Sequence, residues 1–465
     1  MTASVSNATL ASEPVRREGE SPAAEPPRPI RVLFLNDTAR NGGPGRSLHS
    51  ILKFLDPAVV HRAVILPRPG PIAELLSGEG VVDDLRFEPN LVENPIEPWT
   101  RPMERRDFDA ALAVKAARLV GNAARVGRAL VRLSSLAKRG RYDLIYCNGT
   151  NADFAGGALA AATGVPALWH VRYTSLPLAV VGLHRKLSAS RGVRRVVCVS
   201  QAAAALFAHC PSKVRVINNA LDVSAFDPAS VQGTLRRELG LPSDAIVFGS
   251  HGRVLRRKGY VELIGAARRV IDGLTEPERA RVVFAVVGDT PEDFSHDHVA
   301  ECRRLAAALG LASRFHMMGF RADVRPLVID FDVAVVPSVY PDPLPRAVIE
   351  SMALGKPVIA FDVGGVMEMI DRETGELVPF EPARSVAGDR VDERARIEGG
   401  GASSAAVERL AEAMIRYARD PELRSKQGRA GRLRVEREFD ARAHARRIQA
   451  EIVAASGRGA RSRGR

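Results

Sequence analysis

Residues Tyr340 to Ala360, YPDPLPRAVIESMALGKPVIA, decide the fold. Pro341, Pro343 and Pro345 keep the first part out of a helix, because each proline fixes φ and biases its predecessor towards extended backbone. A helix can therefore start only at about Pro345, with Ala347, Val348, Met352 and Leu354 as its apolar stripe and Gly355 as its end. Arg346 and Glu350 lie four apart on one face as a favourable pair. A strand is predicted before the loop, Asp332 to Pro337, and another after the helix, Pro357 to Phe361. Two short apolar strands bracketing a helix make a βαβ unit, in which ligands sit at the carboxyl ends of the strands, where Asp342 falls. Asp342 and Glu350 thus stand on either side of a loop-to-helix junction. Acidic residues near a helix start also complement the helix dipole, so the spacing alone leaves both readings open.

The strand, loop and helix pattern recurs along the chain. AIVFGSHGRVLRRKGY, Ala245 to Tyr260, places Arg253 and Lys258 in a loop that Gly252 and Gly259 open to close backbone approach. Such a loop suits a diphosphate, since arginine offers a planar fork and lysine a compact charge. Arg256 and Arg257 leave open the plainer reading of a solvated basic run. Arg281 to Asp289 is a buried strand ending in Gly288, where backbone can pass a nucleotide. Gly364 and Gly365, in DVGGVMEMI, make a glycine pair at another strand-to-helix junction, again read as a phosphate or sugar approach.

Earlier, Arg31 to Asn36 is an apolar strand, followed by the loop DTARNGGPGRS and a helix from Ser47 to Leu55. The loop lets amides approach a ligand and the helix start favours an anion, but GxGxxG is missing. Strands are predicted at His61 to Pro67, Val81 to Phe87, Tyr142 to Asn148, Val193 to Ser200 and Lys213 to Asp222, with a long basic helix at Phe108 to Arg139. PALWHV carries His170 to a strand end; on spacing alone a histidine there is a structural hydrogen-bonding residue. The repetition predicts two similar α/β domains, 30–222 and 245–437, joined by a linker at 223–244 rich in Pro, Ser and Asp. Residues 1–29 read as a disordered leader, 384–404 as a surface excursion, 438–456 as a terminal helix and 457–465 as a basic tail.

With 465 residues the chain exceeds a single core, and 46% hydrophobic with 26% charged residues is an ordinary globular composition. The cysteines Cys147, Cys198, Cys210 and Cys302 form no CxxC pair, which favours buried thiols in a reducing compartment. No apolar run approaches the roughly 20 residues that span a bilayer. Nor do the first 29 residues hold a signal-peptide core, so the expected location is cytoplasmic, with peripheral contact at the inner face of the membrane. A formal charge of +13 invites a nucleic-acid reading, but there is no recognition helix or zinc spacing, and aromatic residues are only 5% of the chain. Nucleic acid is therefore not expected as a partner. Attraction to an anionic membrane or anionic substrates explains the excess better, beside plain solubility. His296, Asp297 and His298 could ligate a metal, yet at a helix start they are predicted to point in different directions with no third partner.

The stretch from Asp342 resembles the signature of the family 4 retaining glycosyltransferases: an acid, a short turn, an apolar helix, a second Glu, then a small residue, Met and Ala. Here these are Asp342, Pro343 to Pro345, Arg346 to Ile349, Glu350, Ser351, Met352 and Ala353. The first acid is Asp where the family usually has Glu, and prolines stand where glycines are common. Pro343 and Pro345 remove two N–H donors that could reach a sugar hydroxyl, while Leu344, Arg346 and Ala347 keep theirs. The family's Gly-Arg, spacer, Lys-Gly pattern is met at Gly252, Arg253, Lys258 and Gly259. Gly42 and Gly43 match its Gly-Gly loop, which faces the donor phosphates and the acceptor. His170, in a His-Val-Arg string with Val171 and Arg172, matches a histidine that faces the donor sugar across the cleft. Asn219 to Asp222 stand in for its exit turn, and Met318, Gly319, Phe320 and Arg321 for the segment whose backbone reads the base. Asp330, Phe331 and Asp332 spell DxD, but before a strand where the family has an ordinary Asp.

The resemblance implies an α/β GT-B fold, two Rossmann-like doubly wound domains facing across a cleft, with the last helix packing back on the first domain. It implies transfer of a sugar, with retention, from a nucleotide-diphosphate sugar to the hydroxyl of a glycan or lipid-linked acceptor. That sugar is a co-substrate; no cofactor and no metal are expected. Arg253 and Lys258 would stabilise the departing diphosphate, Asp342 hold sugar hydroxyls, Glu350 the ribose, and His170 form the opposite wall. Arg253→Ala or Lys258→Ala is then expected to lower turnover far more than stability. A nucleotide-sugar epimerase of the same fold and a non-catalytic sugar-nucleotide-binding protein are the competing readings.

Overall fold

The computed structural model of the chain describes residues 28–39, 42–78, 80–92, 108–291, 296–383 and 401–458, and side chains within 108–139 from residue 117 onward. The leader up to residue 27, most of the excursion at 384–404 and the tail beyond residue 458 lie outside the described residues. Runs of Val, Ile, Leu and Phe buried on both faces form the strands, as parallel sheets covered by helices require.

The first sheet holds β1 (Ile30–Asn36), β2 (Val60–Leu66), β3 (Asp84–Phe87), β4 (Leu144–Asn148), β5 (Ala167–Val171), β6 (Val193–Cys198) and β7 (Val214–Val216). Its order is β3-β2-β1-β4-β5-β6-β7, every pair parallel. The second holds β8 (Ile246–His251), β9 (Val282–Val287), β10 (Phe315–Met317), β11 (Val333–Val336), β12 (Val358–Phe361) and β13 (Gly375–Val378). Its order, β10-β9-β8-β11-β12-β13, repeats the same winding. Strand order reverses between β1 and β4 and again between β8 and β11. At such switch points the connections leave in opposite directions and open a crevice outside the carboxyl ends.

The signature helix is Arg346–Ala353, preceded by Pro345 at φ −68° and ψ 119° and followed by Gly355 at φ +71°. The terminal strand expected at Lys213 to Asp222 shrinks to β7, because beyond Ile217 the chain turns to cross between the sheets. The stretch read as a linker is folded onto the second domain: Leu235 is buried in its core, Val223, Phe226 and Val231 pack against that core, and Thr234 N–H donates to Pro326 O at 2.8 Å. The chain crosses back through Phe439 and Asp440, and the two crossings bond to each other, Leu221 N–H to Phe439 O (3.0 Å) and Ala441 N–H to Leu221 O (2.9 Å). Helix Ala441–Ser456 then buries Ile448 and Ile452 against Val32, Phe34 and Tyr146 of the first sheet. All four cysteines are buried free thiols. Among the described residues no helix is long and apolar enough to cross a membrane.

Candidate active site

At the second switch point three glycines let strand ends touch. Gly252 N–H donates to Val287 O (3.0 Å) and Gly288 N–H to Gly319 O (2.9 Å). A Cβ on Gly288, at φ +153°, would lie 1.8 Å from Gly252 O. Gly259 is as constrained: at φ +76°, its Cβ would fall 1.7 Å from Pro337 O, so the turn Arg256–Lys258 is pressed under the end of β11. That contact delivers Lys258 Nζ to Asp342 Oδ2 at 2.5 Å. Burial pushes the Asp342 carboxyl up, but the Lys258 ammonium more than offsets it and holds the group below its usual range. Lys258 and Asp342, read separately as a diphosphate cation and a sugar acceptor, therefore neutralise one another here.

Glu350 is clamped through both oxygens. His251 Nε2, at the end of β8, donates to Oε2 (3.0 Å), and Arg346 Nε donates to Oε1 (3.0 Å). Burial opposes ionisation, yet Arg346, His251 and Arg46 hold the carboxyl at about 2. The helix starts at Arg346, so the Arg346 and Ala347 N–H groups belong to its amino end, where no intrahelical acceptor exists. Leu344 is buried. Arg253 is exposed at the loop surface, and Arg257 stacks on Tyr340 with its guanidinium 4.9 Å from the ring centroid.

Gly364 and Gly365 do not open onto a ligand. Their free sides face the signature loop, where a Cβ would meet Asp342 O at 2.5 Å and Pro343 O at 1.8 Å, and Gly365 N–H donates to Asp342 O (2.8 Å). The backbone of Met318 is also engaged: its N–H donates to Val286 O (2.9 Å) and its O accepts from Arg321 Nη1 (2.7 Å). Gly319 O is taken by Gly288, and the Phe320 ring is exposed. A cavity of about 360 Å³ opens beside it at the edge strand, lined by Leu239, Arg303, His316 and Met318.

On the first domain, Asn148 Nδ2 donates to Asn36 Oδ1 (2.6 Å), and Arg172 Nε donates to Asn148 Oδ1 (2.9 Å). Arg172 also donates to Asn219, whose Oδ1 accepts from Ser47 Oγ at 3.0 Å. His170 is completely buried, contrary to its expected place on the cleft wall. Side chains alternate along β5, which puts Leu168 and His170 on the face covered by helix Ala441–Ser456. There Tyr146 OH bonds to His170 Nδ1, Arg172 Nη2 lies 3.3 Å from the same nitrogen, and the His444 ring is 6.4 Å away. Burial, then Arg172 and His444, hold its pKa well below the usual value, so the ring is neutral with its proton on Nε2. Arg172, two residues on, is the group that looks across: burial and the facing Arg346 lower it to about 10.

The domains meet around these groups. Gly43 lies against Arg346, a Cβ there falling 3.8 Å from Arg346 Cδ, whereas Gly42 meets only Pro44. Arg46 Nη2 donates to Ala322 O (3.0 Å), Thr174 Oγ1 donates to Pro341 O, and Glu368 accepts from Gln201 N–H (2.9 Å) and Ala202 N–H (3.2 Å). Sequence reasoning missed His251 and Arg172 as partners in the site. Their signal was position alone, His251 directly before Gly252 and Arg172 two after His170.

The two candidate metal motifs separate. Asp330 and Asp332 sit at the amino end of β11, away from the crevice, where Asp332 Oδ2 accepts from Val247 N–H (2.8 Å) and Arg236 Nη2 (2.7 Å). His296 and His298, expected to diverge, instead converge on Glu301.

The profile for glycosyl transferases group 1 matches residues 245–389, and that for glycosyltransferase family 4 matches residues 89–225. A UDP-Gal:alpha-D-GlcNAc-diphosphoundecaprenol alpha-1,3-galactosyltransferase of Escherichia coli is 26% identical over 51% of this chain. An alpha-maltose-1-phosphate synthase of Mycobacterium tuberculosis (strain CDC 1551 / Oshkosh) is 32% identical over 49% of this chain. The likenesses span 62% and 54% of those relatives' own lengths. Among solved structures, Anabaena Alr3699/HepE in complex with UDP and glucose superposes with a TM-score of 0.68 at 21% identity, covering 91% of this chain and 100% of that one. Two doubly wound domains closed over a crevice between their switch points define the GT-B class. The chain belongs to the family 4 glycosyltransferases, within glycosyl transferases group 1.

Proposed function

We propose that the protein transfers a glycosyl unit from a nucleotide-diphosphate sugar to an acceptor hydroxyl, with retention at the anomeric carbon. The observation that carries the reading is the clamped Glu350 beside the Lys258–Asp342 pair at the β8/β11 switch point, faced by Arg172 from the other domain. Glu350, fixed as an anion, serves as a rigid acceptor for a ribose hydroxyl. Asp342 serves the sugar hydroxyls when the donor enters and loosens its contact with Lys258. When the anomeric C–O bond breaks, its electron pair stays on the diphosphate, whose charge falls on Arg253, the released Lys258 and the amino end of helix Arg346–Ala353. The acceptor proton passes to a departing phosphate oxygen as the new C–O bond forms. His170 acts from behind, fixing Tyr146 and Arg172. No resident metal enters the transfer; the place of Asp332 at the amino end of β11, with its Oδ2 taken by Val247 N–H and Arg236, supports this reading.

The relatives support a donor and acceptor of this chemistry. The Escherichia coli relative is named for UDP-Gal and a GlcNAc-diphosphoundecaprenol, and HepE was solved with UDP and glucose. We infer a glycan or lipid-linked acceptor in cell-surface polysaccharide or glycolipid synthesis. A peripheral station at the inner membrane face is supported by the formal charge of +13, which an anionic surface attracts.

A thermal-shift screen with UDP, GDP, ADP and dTDP sugars, each with and without EDTA, tests the donor class. Ligand at a hundred times its dissociation constant stabilises by about 2.7 kcal/mol. A selective rise that EDTA leaves in place is expected, followed by release of the free nucleotide only when an acceptor is supplied. Conversion of the sugar without acceptor would identify an epimerase instead, and no rise with any donor would overturn the proposal.

A further inference from the structure

We propose that His296, His298 and Glu301 form a binding site for a borderline divalent transition-metal ion, of the Zn²⁺ type, on the second domain. Helix His298–Ala308 is started by Asp297, whose side chain accepts from Ala300 N–H at 2.9 Å. His298 and Glu301 are three apart and share a face of the first turn. His296, just before the cap, folds back over the same face. His296 Nε2 lies 2.9 Å and His298 Nδ1 3.2 Å from a single oxygen, Glu301 Oε2, with the rings edge to face and centroids 4.5 Å apart. The three ligand atoms lie within 4.8 Å of one another.

Those separations are the ones an ion needs. Metal–ligand bonds of about 2.0–2.2 Å in tetrahedral geometry put ligand atoms roughly 3.3 Å apart. Both nitrogen-to-oxygen distances are already close to that, so loading requires tautomer shifts and slight separation rather than a rearranged helix. Exposure is graded, 16% for the His298 side chain, 36% for Glu301 and 56% for His296, which walls the site on one side and leaves a fourth position to water. Two imidazoles with one carboxylate select zinc, copper or nickel over magnesium or calcium, whose ligands are oxygens. The site lies on the first turn of the helix that follows β9. Val299 N–H is tied to Thr290 Oγ1 (3.2 Å), two residues past Gly288, so an ion here would brace the β9 connection.

The test uses tag-free, full-length protein stripped with EDTA and titrated with Zn²⁺ by calorimetry without nucleotide sugar; Co²⁺ absorption reports the coordination. One ion per chain is expected, with visible Co²⁺ bands of tetrahedral type. His298→Gln and Glu301→Gln, confirmed folded by circular dichroism, should each weaken binding by about tenfold or more. A wild-type protein that binds no Zn²⁺, or variants that bind as tightly as wild type, would overturn the site. Because no donor is present, either outcome leaves the glycosyl-transfer proposal to be decided by its own assay.

Discussion

Lys258 and Asp342 are each other's main compensating charge in a buried place, and this alters what a substitution there should do. Removing one partner of a buried ion pair typically costs about 3–5 kcal/mol, because the other charge is left uncompensated. Lys258→Ala should therefore lose stability of that order in denaturant unfolding, with part recovered in the double substitution Lys258→Ala/Asp342→Ala. Arg253, exposed on its loop, should show the contrasting pattern: Arg253→Ala lowers turnover in a donor-consumption assay and shifts the unfolding midpoint far less than Lys258→Ala does. Glu350 carries a pH signature. Its carboxyl sits at about 2, below the ordinary glutamate value of 4.5, so its stabilisation is fully present above that unfolded value and fades as pH falls through about 2. The stability gap between wild type and Glu350→Gln should thus narrow on acidification below pH 4.5; a gap constant with pH would reject the clamp. The candidate residues themselves were legible, since prolines, glycines and charges mark a loop locally. Their partners were not. His251 reaches Glu350 and Tyr146 reaches His170 only through the sheets, which no local pattern encodes.

Elements make the same division visible. Long strands with both faces apolar, such as β1, β2 and β9, were readable because burial on two sides leaves no polar alternation. Edge strands β7 and β10 came out shorter than their apolar runs, where only a few residues have a neighbour to pair with. The glycines show how far such reading goes: sequence says that backbone comes close, not what it comes close to. Gly288, Gly364 and Gly365 were read as ligand approaches, but each is pressed on another stretch of the chain. Gly288→Ala and Gly259→Ala should therefore cost well beyond the roughly 1–2 kcal/mol of a strained left-handed residue. Gly310→Ala is the control, since its φ is +70° but its Cβ would meet nothing nearer than Arg268 Nη1 at 3.9 Å. Equal melting temperatures for Gly310→Ala and Gly259→Ala would refute the contact argument.

Across the whole molecule, Glu368 reaches from one domain to cap two N–H groups of the other. Hydrogen bonds of this kind contribute about 1 kcal/mol each, enough to shift an open–closed balance several-fold. Glu368→Ala should raise the radius of gyration measured by small-angle scattering, and an unchanged value would remove Glu368 as a latch. That two domains exist was plain from the repeated strand and loop pattern; how they are stitched was not, because the stitch joins residues far apart in sequence. Helix Ala441–Ser456 supplies Ile448 and Ile452 to a core otherwise built from residues 30–217. On the ribosome this inverts the usual order. The first domain to be translated is the last to be sealed, since its sheet keeps an uncovered apolar face until the final helix arrives, after the second domain has had its whole length in which to fold.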